Sequence, residues 1–237
     1  MRTIDIFNGD ADGLCALQQL QRAAPYESEL VTGVKRDIAL LDRVEARAGD
    51  SITVLDISLD TNRAGLMRVL EAGARVRWFD HHFAGEIPRH PALEAHIDIS
   101  PEVCTSALVD RHLGGRFRRW AATAAFGDNL PALGRALAGQ CGCTPEQTAA
   151  LEQLGELLNY NGYGESLDDL HFHPADLFRA LSEFDDPLEF VARSAAFTRL
   201  RDGHAVDLSH AEAVRPWRQG SGTLVLVLPD AAWSRRM

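Results

Sequence analysis

Val76-Arg77-Trp78-Phe79-Asp80-His81-His82 is an apolar run of strand length that ends in one carboxylate and two imidazoles. Two runs upstream have the same form. Ile4-Asp5-Ile6-Phe7 leads into Asn8-Gly9-Asp10-Ala11-Asp12-Gly13, and Ile52-Thr53-Val54-Leu55 leads into Asp56. A single aspartate after a strand is often a helix N-cap, and a His-His pair on a loop is more often solvated than ligating. Three acidic strand ends in succession argue otherwise, because in an open parallel sheet the carboxyl ends of the strands share the edge where ligands bind.

Helix and strand signals alternate through the first half of the chain. Thr3 to Phe7, Ser28 to Val34, Ser51 to Ile57 and Arg75 to Phe79 read as strands, with a further short one at His96 to Ile99. Gly13 to Arg22, Asp37 to Arg47 and Asn62 to Ala72 carry apolar residues at helical spacing. Such alternation predicts an α/β fold, a mostly parallel sheet covered by helices. Beyond Ser100-Pro101 the pattern turns helical, over Thr105 to Leu113, Trp120 to Phe126, Pro145 to Leu158, Pro174 to Phe184, Pro187 to Leu200 and Gly203 to Val214. Pro145, Pro174 and Pro187 sit where a first helical turn tolerates proline. Asn159-Tyr160-Asn161-Gly162-Tyr163-Gly164 reads as a glycine-punctuated loop.

Composition narrows the class. The 237 residues are 46% hydrophobic, enough for a substantial core, and carry a net charge of -10. No apolar stretch approaches the roughly 20 residues of a membrane span, and the N-terminus opens on a strand rather than on a basic and then apolar leader. Cys15, Cys104, Cys141 and Cys143 have neither zinc nor redox-motif spacing. A reduced, cytoplasmic protein is the expectation. A protein that grips long duplex through many phosphates needs a broad basic surface. Only Arg116-Phe117-Arg118-Arg119 and Arg235-Arg236 come near one, so a long duplex partner is not expected.

Carboxylate and imidazole together suit a hard or borderline divalent cation, which points to a metal-dependent hydrolase. The residues at this point resemble the DHH phosphoesterases, a family that includes RecJ-type exonucleases, oligoribonucleases and pyrophosphate or polyphosphate hydrolases. Asp10-Ala11-Asp12-Gly13 is similar to its first motif, Asp56 in Val54-Leu55-Asp56-Ile57-Ser58 to its second, Asp80-His81-His82 to its third, and Asp128 in Ala125-Phe126-Gly127-Asp128-Asn129 to its fourth. Cys104-Thr105-Ser106-Ala107 falls where the family has a small-residue helix start. The resemblance covers residues 1 to 165.

It implies a phosphodiesterase acting on short single-stranded oligonucleotides or small nucleotide phosphodiesters. Two Mn²⁺ ions about 3.5 to 4 Å apart would activate water, with Mg²⁺ the less favoured alternative because an imidazole is present. In that scheme Asp10 holds the first ion, Asp12, His81 and Asp128 hold the second, and Asp56 bridges them. His82 faces the scissile phosphate, Asp80 orients His81 or closes the turn, and Asn8 supports the first ion. Many members place a histidine four residues before the first aspartate; here that position is Ile6, which predicts a first ion held loosely or with water in the histidine's place.

Substrate contacts are expected from Lys35, Arg36, Tyr160 and Tyr163, the tyrosines by stacking on a base. His171 and His173, two residues apart, read as surface or core histidines. Pyrophosphate or polyphosphate hydrolysis, and non-catalytic nucleotide binding, are the rival readings.

The domain reading is a phosphoesterase core at 1–165, a helical extension at 166–218, and the start of a truncated C-terminal domain at 219–237. Thr223-Leu224-Val225-Leu226-Val227-Leu228 reads as a strand with no later strand to pair with. Removing residues 221–237 is therefore expected to improve solubility without lowering activity on a small ester.

Overall fold

The runs that end in aspartate are strands of one sheet. The computed structural model describes residues 1–237, the side chain of Gln219 excepted. Strands β1 (Thr3–Phe7), β2 (Glu29–Thr32), β3 (Ser51–Leu55), β4 (Arg75–Asp80) and β5 (Leu93–Ile97) lie in the order β2-β1-β3-β4-β5, and every neighbouring pair is parallel. The helices are α1 (Ala11–Ala23), α2 (Arg63–Glu71), α3 (Thr105–His112), α4 (Arg118–Gly127), α5 (Pro131–Gln140), α6 (Pro145–Gly162), α7 (Pro174–Ser182), α8 (Pro187–Arg193) and α9 (Ala195–Ala213).

The central strands are apolar on both faces because both are covered. Ile4, Ile6, Val54, Val76 and Trp78 pack against Leu66, Val69 and Leu70 of α2 and against Leu40, Leu41 and Val44. On the other face Phe7, Leu55 and Phe79 meet Leu14 and Leu17 of α1, Ala107 of α3, Trp120 and Ala124 of α4, and Leu154 and Leu158 of α6. Helices α4 and α6 cross at van der Waals limits. A Cβ on Gly127 would lie 2.6 Å from the Gly155 carbonyl, and one on Gly155 2.2 Å from the Thr123 carbonyl. This approach holds the end of α4, and with it Asp128, against the core.

The strand order locates the cleft. The chain passes from β1 to β2 on one side and then crosses back to β3 on the other side of β1, so the topological switch point lies between β1 and β3. Phe7 pairs in register with Leu55, and Leu55 with Phe79. The residues that follow these three therefore emerge level along one edge.

Several local expectations change. The helix predicted over Asp37 to Arg47 shrinks to a 3-10 turn, Leu40–Arg43. Its apolar residues still reach the core, but the Asn62 side chain accepts from the Leu41 N–H at 3.2 Å and donates to the Ile38 carbonyl at 2.7 Å, satisfying backbone that a helix would otherwise pair. The fifth strand lies at Leu93–Ile97 rather than His96 to Ile99, α5 was not foreseen, and Ser194 caps a new helix inside the predicted Pro187 to Leu200 span. Asn159 to Gly162 form the last turn of α6, where a loop was expected.

The C-terminal apolar run finds a partner upstream rather than downstream. Residues Thr223–Val225 form β7 and pair antiparallel with β6 (Arg218–Gly220); Leu224, Val227 and Leu228 remain exposed. Helix α10 (Ala232–Arg236) then returns to the helical layer. Arg236 is buried and grips Asp207 through two bonds of 2.7 and 2.8 Å, while Arg235 pairs with Asp169. Removing Arg236 leaves the Asp207 carboxylate with the Tyr160 hydroxyl and His171 but no arginine, so Arg236→Ala is expected to lower the melting temperature. Removing residues 221–237 deletes Arg236 as well, so it should lower the melting temperature at least as far as Arg236→Ala does. Unchanged melting of both variants in a thermal scan would show that α10 adds no stability. Among the described residues no helix is long and apolar enough to cross a membrane.

Candidate metal centre

Each acidic strand end is turned into the switch-point cleft by its local backbone. After β1 the chain passes straight into α1, whose N-cap is Asp10: its Oδ1 accepts from the N–H groups of Asp12 and Gly13 at 3.0 and 3.1 Å. Position 13 admits only glycine, since a Cβ there would lie 2.2 Å from the Asn8 carbonyl oxygen. After β3 the chain turns at Asp56 with φ of 59°, a left-handed conformation that a residue with a side chain adopts at some cost. Asp128 stands at the C-terminal end of α4, and the next residue, Asn129, also has a positive φ of 58°.

Four of the predicted ligands converge. His81 Nε2 lies 3.3 Å from Asp56 Oδ1, 3.6 Å from Asp128 Oδ2 and 3.8 Å from Asp12 Oδ2. Besides Glu94, His96 and His112 on β5 and α3, two groups have metal-ligand spacing, Asp12 with His81 and Asp128, and Asp56 with His81 and His82. Their common member is His81, whereas the sequence reading gave the shared position to Asp56. Asp10 belongs to neither group. Its Oδ2 is 2.6 Å from the Lys35 ammonium, which also donates to Asn159 Oδ1 at 2.7 Å.

The electrostatics call for a cation. Burial and repulsion by Asp12, Asp10 and Asp128 push the Asp56 carboxyl well above its usual range. Burial, with Asp12 and Asp10, lifts Asp128 to about 7. Asp10 departs from this pattern: burial opposes its charge, but the Lys35 ammonium outweighs that and holds the carboxyl below its usual range. The buried Asn8 Oδ1 and Asp80 Oδ2 have no hydrogen-bond partner. Crowded carboxylates, an imidazole among them and unpartnered oxygens nearby are the donor set a divalent cation fits.

Two contributors escaped the sequence reading. The N-terminus of α3 points at the cluster: the N–H groups of Thr105 and Ser106 donate to Asp12 Oδ2 and Oδ1, both at 2.7 Å, and Thr105 Oγ1 donates to Asp56 Oδ1 at 3.0 Å. Free amides at a helix start bind anions. The available signal was Cys104-Thr105-Ser106-Ala107, small and polar residues at a helix start. The second contributor is Lys35, read as a substrate contact and found on Asp10.

Other assignments move. Asp80 Oδ1 is 2.7 Å from His82 Nδ1, so it orients His82 rather than His81. That bond, against the cost of burial, raises the His82 pKa. Asn8 donates to the Lys35 carbonyl at 3.3 Å. Ile6 is fully buried in the core on the α2 side. Tyr160 is turned away from the cleft, its hydroxyl donating to Asp207 at 2.9 Å and its ring against His204; Tyr163 lies beside it, with Lys35 Nζ 5.7 Å from its ring centre. Arg36 is exposed in a separate groove with Arg43 and Glu165. His171 binds Asp207 at 3.1 Å and His173 caps α7, as core and surface histidines do. All four cysteines are free.

A pH dependence follows for the protein without divalent cation. Asp128 has a folded pKa above that of an unfolded carboxylate, so the stability it contributes is present below an unfolded pKa of 3.8 and is lost as pH rises through about 7, and Asp56, also held well above the usual range, acts in the same direction. His82, also raised, acts in the same direction. In chelator, the melting temperature should be higher at about pH 5.5 than at about pH 8, and Mn²⁺ should shrink the gap by replacing the protons. A gap that Mn²⁺ leaves untouched would place its origin outside this cluster.

Neither a protein-family model nor a curated protein sequence matches the chain. Solved structures do. The exonuclease RecJ bound to manganese aligns with a TM-score of 0.50 at 21% identity, over 90% of this chain and 65% of that one. RecJ from Thermus thermophilus in complex with Mn²⁺ aligns with a TM-score of 0.54 at 18% identity, over 90% of this chain and 37% of that one. At these identities the likeness is one of fold. The chain spans less than two thirds of the length of either relative.

Proposed function

We propose that this chain is a DHH-type, metal-dependent phosphoesterase that hydrolyses short single-stranded oligonucleotides or small nucleotide phosphodiesters. The observation that carries this reading is the convergence of Asp12, Asp56, His81 and Asp128 from four separate chain segments at the β1/β3 switch point. The fold shared with two manganese-bound RecJ structures supports it.

In this reading Asp12, Asp56, His81 and Asp128 hold the divalent ion, Mn²⁺ in preference to Mg²⁺. Such an ion supplies a lowered pKa for water and neutralises charge developing on a phosphoryl group. The protein's own groups do the rest. Amides at the start of α3 fix both oxygens of Asp12, and the Thr105 hydroxyl fixes Asp56, so the ligands are held before substrate arrives. His82 Nδ1 is engaged by Asp80, which leaves Nε2 of this half-exposed ring to face the substrate and donate to a phosphoryl oxygen. Tyr163 flanks the cleft as a stacking surface for a base. We assign catalysis to the unit at 1–165, which contains every one of these residues, with 166–218 a helical extension.

The test is a turnover screen with Mn²⁺ over dinucleotides, short single strands, 3′-phosphoadenosine 5′-phosphate, cyclic dinucleotides and pyrophosphate. Release of mononucleotide from a dinucleotide or short strand is the expected result. Hydrolysis of pyrophosphate alone would replace the phosphodiester reading with the anhydride one, and nucleotide binding without turnover would make the chain a binding module.

A further inference from the structure

Asp10 differs from the other acidic strand-end residues in that its carboxylate already carries an ammonium. Its Oδ1 takes the two N–H groups of the α1 start, and its Oδ2 takes the Lys35 ammonium at 2.6 Å. Lys35 is held there from several directions. Its own N–H donates to the Gly162 carbonyl at 2.7 Å, its carbonyl accepts from Asn8, and its ammonium donates to Asn159 Oδ1 at 2.7 Å. Asp128 Oδ1 stands 3.9 Å from the same nitrogen. The ammonium thus has three oxygens around it from three chain segments, a surrounding fit for a cation. The groups with metal-ligand spacing form without Asp10, and the core-facing Ile6 brings no imidazole to it. A divalent ion on Asp10 would have to sit against the ammonium or expel it.

We propose that the Lys35 ammonium takes the place of a second metal ion beside Asp10, so that the centre holds one divalent cation, on Asp12, Asp56, His81 and Asp128. This rests on the metal-dependent reading of the site and refines its charge carriers. A fixed ammonium can neutralise a phosphoryl oxygen as a point charge, and the N–H of Lys35 not given to Asp10 or Asn159 is available for that contact. Arg could not replace it, since a planar fork does not fit a pocket of oxygens around one nitrogen.

The experiment is Mn²⁺ titration of the full chain by calorimetry, with electron paramagnetic resonance of the loaded protein, for wild type, Lys35→Gln and Asp10→Asn. Wild type is expected to bind one ion per chain with the resolved hyperfine spectrum of an isolated Mn²⁺. Asp10→Asn should keep that stoichiometry, because Asp10 is not a ligand. Lys35→Gln frees Asp10 Oδ2 and Asn159 Oδ1, and a second, weaker equivalent should appear with the broadened spectrum of a coupled pair. Two ions with a coupled spectrum in wild type would overturn the proposal while sparing the proposed function. One ion in Lys35→Gln, with near-UV circular dichroism unchanged, would overturn the role of Lys35. If that variant does not fold, the wild-type and Asp10→Asn stoichiometries still decide. No binding by wild type would overturn the metal-dependent reading itself, and this inference with it.

Discussion

His82→Ala is expected to lower turnover of a small phosphodiester by about 10²- to 10⁴-fold, the range for loss of a positioned proton donor, while leaving Mn²⁺ affinity nearly unchanged. The geometry behind this is the Asp80 contact. With Nδ1 held at 2.7 Å by a buried carboxylate, the ring is fixed in direction and disposed to carry a proton, and its remaining nitrogen is free for substrate. His81 is the opposite case, since its Nε2 lies within 3.8 Å of Asp12, Asp56 and Asp128, so His81→Ala should damage affinity and turnover together. Asp80→Asn should copy part of the His82→Ala defect, because a partner that orients an imidazole is worth roughly 10- to 100-fold. Calorimetry showing that His82→Ala loses a metal ion while His81→Ala keeps it would exchange the two roles.

Mn²⁺ at a hundredfold excess over its dissociation constant should stabilise the fold by about 2.7 kcal/mol, since the site exists only in the native state. For a chain of this size that is a rise in melting temperature of roughly 5 to 10 °C. Asp56→Asn should abolish most of the rise. Asp56 sits in a left-handed turn that aims its carboxylate at the cluster, and its buried charge is opposed by four neighbouring carboxylates. The same substitution should make the metal-free protein more stable, because it deletes a charge the fold holds at a cost. Differential scanning with and without Mn²⁺ reads both effects. An equal Mn²⁺ shift in wild type and Asp56→Asn would place the ion elsewhere.

The acidic strand ends were legible because each is a local signal repeated in a context that has only one geometry. Ile4 to Phe7, Ile52 to Leu55 and Val76 to Phe79 announce strands by composition, and the helices between them require those strands to run parallel. Parallel strands deliver their next residues to one edge, so Asp12, Asp56 and His81 meet without any further information. Asp128 is less local. It depends on α4 lying against α6, and only the four-motif resemblance marked it beforehand.

Helix ends were legible where capping chemistry is local. Thr144, Asp186 and His173 stand directly before prolines and cap the helices they begin. The helix predicted over Asp37 to Arg47 had the right periodicity and failed because Asn62, from another element, satisfied its backbone first. Tyr160 shows the same limit. Nothing adjacent to it in sequence reveals that Asp207 will claim its hydroxyl, 47 residues away.

The sequence by itself determined a parallel α/β sheet and the acidic strand ends on its edge, through side-chain periodicity and turn chemistry that act within a few residues. Tertiary structure alone decided which of those groups are free to bind. Asp12 is oriented by amides 93 and 94 residues later, and the Lys35 ammonium on Asp10 is braced by Asn159, 124 residues away. The reason is physical. A carboxylate's availability depends on which donors packing brings within about 3 Å, and packing joins residues whose distance along the chain carries no record of the contact.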